Sequence, residues 1–437
     1  TKDARAASRS ASRGVSPGSV TCSPTRRRVP HAETRVAITG LGIASPIGND
    51  LDTALEALRS GTHGISRTDR WRAYGGLDAE LIAEVQGLDL NRWSRKQVRT
   101  MGRVARLALH ASEQAIAQAG LGEDTLRGGR CGIAFGSTHG SSDAWERMAR
   151  SWLLNNDLRG GGSSIYLQFM AHTCAANLAI YFGVTGRVLP TCAACASGSL
   201  AIGQAYEAIR AGVQDVMIAG GAEELHPTHV AVFDGMYAAS LAHERPDTTP
   251  RPFDAGRDGL VVGEGAGAVV LERWDHAVAR GADILGEVIG FGLCCDGTHV
   301  TAPSAVGMAS AMRLALESAS IPASAVDYVN AHATATEVGD IVESQATFAV
   351  LGGEVPVSST KGHTGHTLGA CGAIELAFCV GAMRTGFLPA TRNLENVDPA
   401  CAKLDYVQAT RAAEPRVVMT NNFAFGGINT SLLLRTP

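Results

Sequence analysis

Thr191-Cys192-Ala193-Ala194-Cys195-Ala196-Ser197-Gly198-Ser199-Leu200 stands at a junction in the chain. The apolar run Val188-Leu189-Pro190 leads into it, and a small-residue run, Leu200 to Ile209, leads out. The pattern predicts a strand that turns into a helix, the step from which layered α/β folds are built. A cysteine at such a turn meets free backbone N–H groups and the positive end of the helix dipole. Both favour thiolate over thiol. The small residues behind it let the helix sink into a core while the sulfur stays reachable. This marks Cys195 as a nucleophile that carries an acyl group. The competing reading is an ordinary buried cysteine, and the rest of the chain decides between the two.

The chain has 437 residues, room for two domain-sized units or one large duplicated α/β domain. Hydrophobic residues at 45% and charged residues at 18% exclude general disorder. Aromatics are only 5% against 51 glycines, which suits tightly packed α/β layers better than a β-sandwich. A net charge of −4 gives no support for nucleic-acid binding. The ten cysteines are scattered, without a compact framework, which points to reduced thiols and a cytoplasmic setting. No apolar run reaches the roughly 20 residues of a bilayer span, so no membrane crossing is expected.

Residues 1–34 are rich in Arg, Ser, Pro and Ala and lack apolar periodicity; they predict a flexible basic tail. A transit peptide would look similar. Residues 35–283 form a first half and 284–437 a second, each alternating strand and helix. Identity between the halves is too low to establish a duplication. Val36 to Gly42 reads as a strand running into a glycine turn. The spacing of Gly40, Gly42 and Gly48 is wrong for a dinucleotide fingerprint. Residues 51–60 predict a helix, and 94–119 a longer one with Ser94 as N-cap. Its start is basic, with Arg92, Arg95, Lys96, Arg99, Arg103 and Arg106, a candidate dock for an acidic partner. Residues 155–164 read as a Gly/Ser-rich loop and 366–385 as a small-residue helix.

Three further segments present reactive side chains at turns. Asn330-Ala331-His332-Ala333-Thr334-Ala335-Thr336 places a histidine at the end of a buried strand. Ser359-Thr360-Lys361-Gly362-His363-Thr364-Gly365-His366 places another just before a Gly/Ala helix. Asn421-Asn422-Phe423-Ala424-Phe425-Gly426-Gly427 ends in paired glycines that free the backbone to aim N–H groups inward. One thiol, two histidines and a donor loop suit a two-step acyl transfer with an oxyanion site. Cys192 and Cys195 also form C-x-x-C, which a redox or zinc site would use. However, no second C-x-x-C exists, and His332 and His366 lie too far apart for finger spacing.

The order of Ala194-Cys195-Ala196-Ser197-Gly198, Asn330-Ala331-His332, Thr360-Lys361 with Gly365-His366, and Phe423-Ala424-Phe425-Gly426-Gly427 resembles the β-ketoacyl-acyl carrier protein synthases, specifically their Cys-His-His condensing enzymes. The resemblance spans residues 35–437. It implies a thiolase fold, five αβαβα layers made of two related halves, normally dimeric. It implies that Cys195 takes the acyl chain and that His332 and His366 assist loss of CO2 from malonyl-carrier and hold the enolate. It further implies Lys361 and Glu375 as supporting groups. Phe425 becomes the gate and, with Cys195, an oxyanion-hole N–H donor. Phe233, Phe423, Thr334, Thr336 and His139 fall where substrate is bound. The partner it implies is acyl carrier protein, met by Arg95, Lys96, Arg99 and Arg103, with a homodimer or a heterodimer with a ketosynthase-like subunit. Neither metal nor organic cofactor is implied. The alternative function is a non-catalytic, chain-length-type partner subunit, which would be expected to lack the cysteine. The chain departs from the family at Ala333, Ala335, Ala424 and the extra Cys192. His139 is a polar ring where fatty-acid enzymes place Gly or Ile, which suggests a polyketide- or polyene-type chain. Cys192 could join Cys195 in a disulfide under oxidation and silence it.

Overall fold

The computed structural model describes residues 34–159 and 162–437. The expected tail, apart from Thr34, lies outside the described residues, as does part of the 155–164 loop. In chain order the principal elements of the first half are β1 (Val36–Ala44), α1 (Arg103–Ala119), β2 (Cys131–Gly136), α2 (Thr173–Phe182), β3 (Val188–Thr191), α3 (Ser197–Arg210), β4 (Val216–Glu223) and β5 (Gly265–Arg273). Those of the second half are β6 (Gly286–Cys295), α4 (Ala305–Ala319), β7 (Tyr328–Asn330), α5 (Glu337–Leu351), β8 (Pro356–Ser358), α6 (Cys371–Thr385), β9 (Val417–Ala424) and β10 (Ile428–Arg435).

The two halves repeat one plan. The first sheet runs β1-β5-β4-β2-β3 and the second β6-β10-β9-β7-β8. In each, the opening strand pairs antiparallel with the closing one, which pairs antiparallel with the strand before it, and the remaining pairs are parallel. The sheets meet at one edge, where β1 and β6 pair over Val36–Ile38.

Side-chain alternation assigns the layers. On β4, Met217 and Ala219 face the space between the sheets while Val216 and Ile218 face outward. The inner core holds α3 and α6, with Ile202, Ile209, Ile374 and Phe378 packed against both sheets. Helices α1 and α2 cover the outer face of the first sheet, and α4 and α5 that of the second. The result is five layers, as the thiolase-type expectation has it. The stretch Leu368–Thr385 is long and apolar enough to cross a bilayer, but it is 89% buried. A helix packed on all sides by protein needs no polar face.

The repeat also shows in single residues. A Cβ on Gly42 of β1 would stand 2.0 Å from the carbonyl oxygen of Ala111 on α1, and one on Gly292 of β6 would stand 1.9 Å from that of Ala311 on α4. Gly40 and Gly290, two residues earlier, meet Ala115 and Ala315 in the same way. Gly40-Leu41-Gly42 therefore lies within a strand rather than at its end. Its glycines let a helix backbone approach the sheet.

The predicted 94–119 helix is broken. A short turn of helix covers Arg95–Val98, and α1 starts only at Arg103. Gly102 is extended, at φ −73 and ψ −175, and packs against Ser141, so the axis cannot continue through it. A helix at Ser142–Asn155 was not anticipated. Glu287 on β6 ties the two ends of the folded chain together, accepting from Arg35 at 2.9 and 2.7 Å and from Arg435 at 2.7 Å.

Gly42→Ala and Gly292→Ala should each destabilise the fold by about 1–3 kcal/mol, the usual range for overpacking. Denaturant unfolding checks this, and equal loss at the two sites is expected from their equivalent packing.

Candidate active site

Cys195 is presented by a tight turn between β3 and α3. Ala194 takes φ +44, a left-handed conformation that costs a non-glycine residue energy. Ser197 holds the turn: its hydroxyl accepts from the Ala193 N–H at 2.9 Å and donates to the Ala194 carbonyl at 2.7 Å. The Thr191 hydroxyl donates to the Ser197 carbonyl at 2.8 Å. Helix α3 begins at Ser197, so the sulfur lies at the N-terminal end of a 14-residue helix, as the sequence predicts. Burial pushes the Cys195 thiol up to about 12, opposed by the Lys361 charge and the residue's own backbone N–H.

His366 places Nε2 2.9 Å from the Cys195 sulfur. Its backbone is fixed to the 261–263 segment: its N–H donates to the Val261 carbonyl at 2.7 Å and its carbonyl accepts from Gly263 at 2.8 Å. His332 follows β7. Glu343 of α5 takes the N–H groups of His332 and Ala333 at 2.7 and 2.6 Å, and burial pushes this carboxyl up to about 8. The two histidine rings stand nearly perpendicular, at 87° and 5.2 Å between centroids. The sulfur and one ring nitrogen from each histidine all lie within 4.8 Å of one another. Burial, then the Lys361 charge, holds both imidazoles well below their ordinary value, so both are neutral near pH 7. A neutral imidazole keeps one N–H to donate to a developing oxyanion.

Lys361 is buried at 1% exposure and bonds the Glu375 carboxylate. Burial works against its charge, but Glu375 and Cys371 hold its pKa above the ordinary value. Asn422 donates to the other Glu375 oxygen at 2.8 Å and lies 3.5 Å from the Cys371 sulfur. Cys371 in turn donates to the Cys195 carbonyl at 3.3 Å. Glu343, Asn422 and Cys371 were not singled out from sequence. Asn422 stood inside a quoted segment and Cys371 lies five residues after His366, yet only the packing of the two halves reveals their partners.

A cavity of about 640 Å³ opens onto the sulfur, lined by His332, His366, Phe233, Thr334, Thr336, Phe423 and Phe425. The Phe425 ring lies 5.7 Å from Phe233, which lies 6.4 Å from His366, and Phe423 lies 6.2 Å from His332. Gly426 and Gly427 take φ +84 and +70. The Gly426 N–H donates to the Val300 carbonyl at 2.7 Å, and the Asp296 N–H to that of Gly427 at 3.0 Å, so this loop is tied to segment 296–303.

His139 is not brought to this cavity. It is exposed and stacks on His229 at 5.3 Å. Arg95, Lys96 and Arg99 are exposed and line a surface groove with Arg106. Arg103 is a correction to the docking expectation: its guanidinium bonds buried Glu264, with Nε to Oε2 at 2.8 Å, and is not free for a partner. Cys192 donates to the Thr138 carbonyl at 3.1 Å, whereas Cys195 faces His366. The nine described cysteines are all unpaired.

A thiol at a helix start, two neutral histidines and a buried ammonium beneath an open cavity define a thiol-dependent acyl-transferring enzyme. Residues 33–277 match the model of the Beta-ketoacyl synthase N-terminal domain and residues 285–395 that of the C-terminal domain. The chain belongs to the beta-ketoacyl synthase family, and its fold is that family's thiolase-type fold. It is 37% identical over 404 residues to 3-oxoacyl-[acyl-carrier-protein] synthase 1 of Escherichia coli, covering 92% of this chain and 98% of that one. A crystal structure of a beta-ketoacyl synthase from Burkholderia phymatum is 48% identical, with a TM-score of 0.90 over 93% of this chain and 100% of that one. A type II polyketide acyl-carrier protein in complex with its ketosynthase, bound to the hexaketide, matches at 30% identity and a TM-score of 0.85, covering 92% of this chain and 99% of that one. The chain is a condensing acyltransferase that joins an acyl thioester to malonyl-carrier with loss of CO2.

Because the resting thiol is neutral, alkylation of Cys195 by iodoacetamide should accelerate from about pH 7 to about pH 9 as thiolate accumulates. Mass spectrometry of the Cys195 peptide reads the rate. A rate flat across that range would contradict the raised thiol.

Proposed function

We propose that Cys195, His332 and His366 divide this condensation into two half-reactions. In the first, the Cys195 sulfur attacks an acyl-carrier thioester. The acyl–sulfur bond to the carrier breaks, and the thiol proton leaves with the carrier sulfur. The backbone N–H groups of Cys195 and Phe425 hold the oxyanion. In the second, malonyl-carrier loses CO2, and N–H groups of neutral His332 and His366 hold the resulting enolate. Its carbon attacks the acyl-Cys195 carbonyl, and the sulfur leaves and takes up a proton. Lys361, with Glu375, keeps a fixed positive charge near these anions. The observation that carries this reading is the convergence of one thiol and two neutral imidazoles within 4.8 Å at the cavity floor. A silent partner subunit is disfavoured because all three groups are present and aligned.

Acyl carrier protein is the proposed partner, docking on Arg95, Lys96, Arg99 and Arg106 of the basic cluster, with Arg103 held by Glu264 instead. The dimer is proposed across β3, whose outer edge has no strand partner among the described residues. Beside that reading stand exposed apolar side chains on the 142–155 helix, including Trp152 and Leu154. Whether the second subunit is identical is decided by the mass of the assembly in solution. The polyketide- or polyene-type chain expected from His139 has no support from the cavity lining, which His139 does not join. A cytoplasmic location is proposed from the cysteine usage.

Exposure to acyl-carrier should add the acyl mass to Cys195, and Cys195→Ala should abolish it. His332→Ala should still be acylated yet lose roughly 10²–10⁴-fold in condensation with malonyl-carrier. An unmodified protein that still binds carrier would overturn the proposal.

A further inference from the structure

We propose that Cys195, His332 and His366 also form a binding site for a soft divalent cation, with zinc(II) the best fit, and that occupancy inhibits condensation. The proposal rests on Cys195 being the acyl-carrying thiol, because a metal-bound sulfur cannot attack a thioester.

The donor set is one sulfur and two imidazole nitrogens, all within 4.8 Å of one another. Zinc takes Cys sulfur and His nitrogen ligands, and three protein ligands with an open fourth position is its arrangement in catalytic sites. Hard cations such as magnesium prefer oxygen donors and are excluded by the same chemistry. No other group of three such side chains converges this closely among the described residues.

The ligands are already held in place. Glu343 clamps the backbone of His332, and the 261–263 segment clamps that of His366. One ring nitrogen of each histidine is turned toward the sulfur. The cavity that opens onto the sulfur leaves room for a fourth ligand. The nearby Lys361 ammonium opposes a bound cation, and its ion pair with Glu375 offsets part of that repulsion.

One adjustment is required. The Cys195 sulfur and His366 Nε2 lie 2.9 Å apart, a hydrogen-bond distance. Tetrahedral zinc, with bonds of about 2.3 Å to sulfur and about 2.1 Å to nitrogen, sets sulfur and nitrogen roughly 3.5 Å apart. Binding removes the thiol proton to solvent, one proton released per zinc bound. Coordination of both atoms to the metal then replaces the contact between them.

This is not the zinc site that C-x-x-C suggested. Cys192 bonds the Thr138 carbonyl, and His363 bonds the carbonyls of Thr62 and Ala390. Neither joins the cluster.

The test begins with the full chain in chelator-treated buffer, where condensing activity is measured before any metal is added. Zinc is then titrated against a colorimetric chelator, and cobalt(II) is added separately as a spectroscopic probe. One tight zinc site is expected, with a thiolate-to-cobalt charge-transfer band in the near ultraviolet. Cys195→Ala, with Cys195→Ser as a second variant should the first misfold, should lose both signals. His332→Ala should weaken zinc binding by at least about tenfold. Cys192→Ala should bind zinc as the parent does. Wild-type activity should fall as the site fills and return with EDTA. Tight binding that persists in the Cys195 variants, or full activity at full occupancy, would overturn the proposal. Inactivity in metal-free buffer would overturn the proposed enzymatic function, whereas the binding titration reads independently of turnover.

Discussion

A buried ammonium group organises the chemistry of this protein. Lys361 is nearly inaccessible to water, and leaving such a charge unpaired would cost several kcal/mol. Glu375 pairs it, Asn422 satisfies the second oxygen of that carboxylate, and Cys371 links the same group to the carbonyl of Cys195. The charge acts outward on its neighbours. It works with burial to keep His332 and His366 neutral, and it works against burial at the Cys195 thiol. Burial outweighs this pull at the thiol, which rests neutral. The histidines stay uncharged, and each keeps the one N–H that can donate to an enolate.

The duplicated architecture explains how these groups meet. Helices α3 and α6 occupy equivalent places in the two halves and share the central layer. The nucleophile stands at the start of one, and Cys371 begins the other. The histidines come from the ends of segments in the second half, so neither half contains the whole site. The glycine pairs on β1 and β6 serve the same arrangement from outside, drawing α1 and α4 close to their sheets.

Much of this was legible from the chain. Strand–helix alternation gave the layers because buried parallel strands and packed helices leave strong apolar signatures. The turns that carry Cys195, His332, His366 and Phe425 were legible because each joins a strand end to small or glycine residues. Other features were hidden for physical reasons. The duplication survives in strand order and in backbone contacts at Gly42 and Gly292, where identity of side chains is not required. Gly102 interrupted a helix whose flanking periodicity was otherwise continuous. Arg103 belonged to a basic run by sequence, yet its position on α1 turns it onto Glu264, a residue 161 positions away. Glu343 and Cys371 act through main-chain groups of distant segments, and no local pattern announces such contacts.

Glu287 grips Arg35 and Arg435 with one carboxylate, so the opening of β1 and the close of β10 lie side by side. The folded chain is therefore almost a ring. A short polar linker joining those positions would let the chain be opened elsewhere, in an exposed connection such as that after α4, while every strand keeps its neighbours. The order in which the two halves are written along the chain is then separable from the fold they build. A permuted chain beginning in the second half would place the histidine-bearing segments ahead of the nucleophile and assemble the same site.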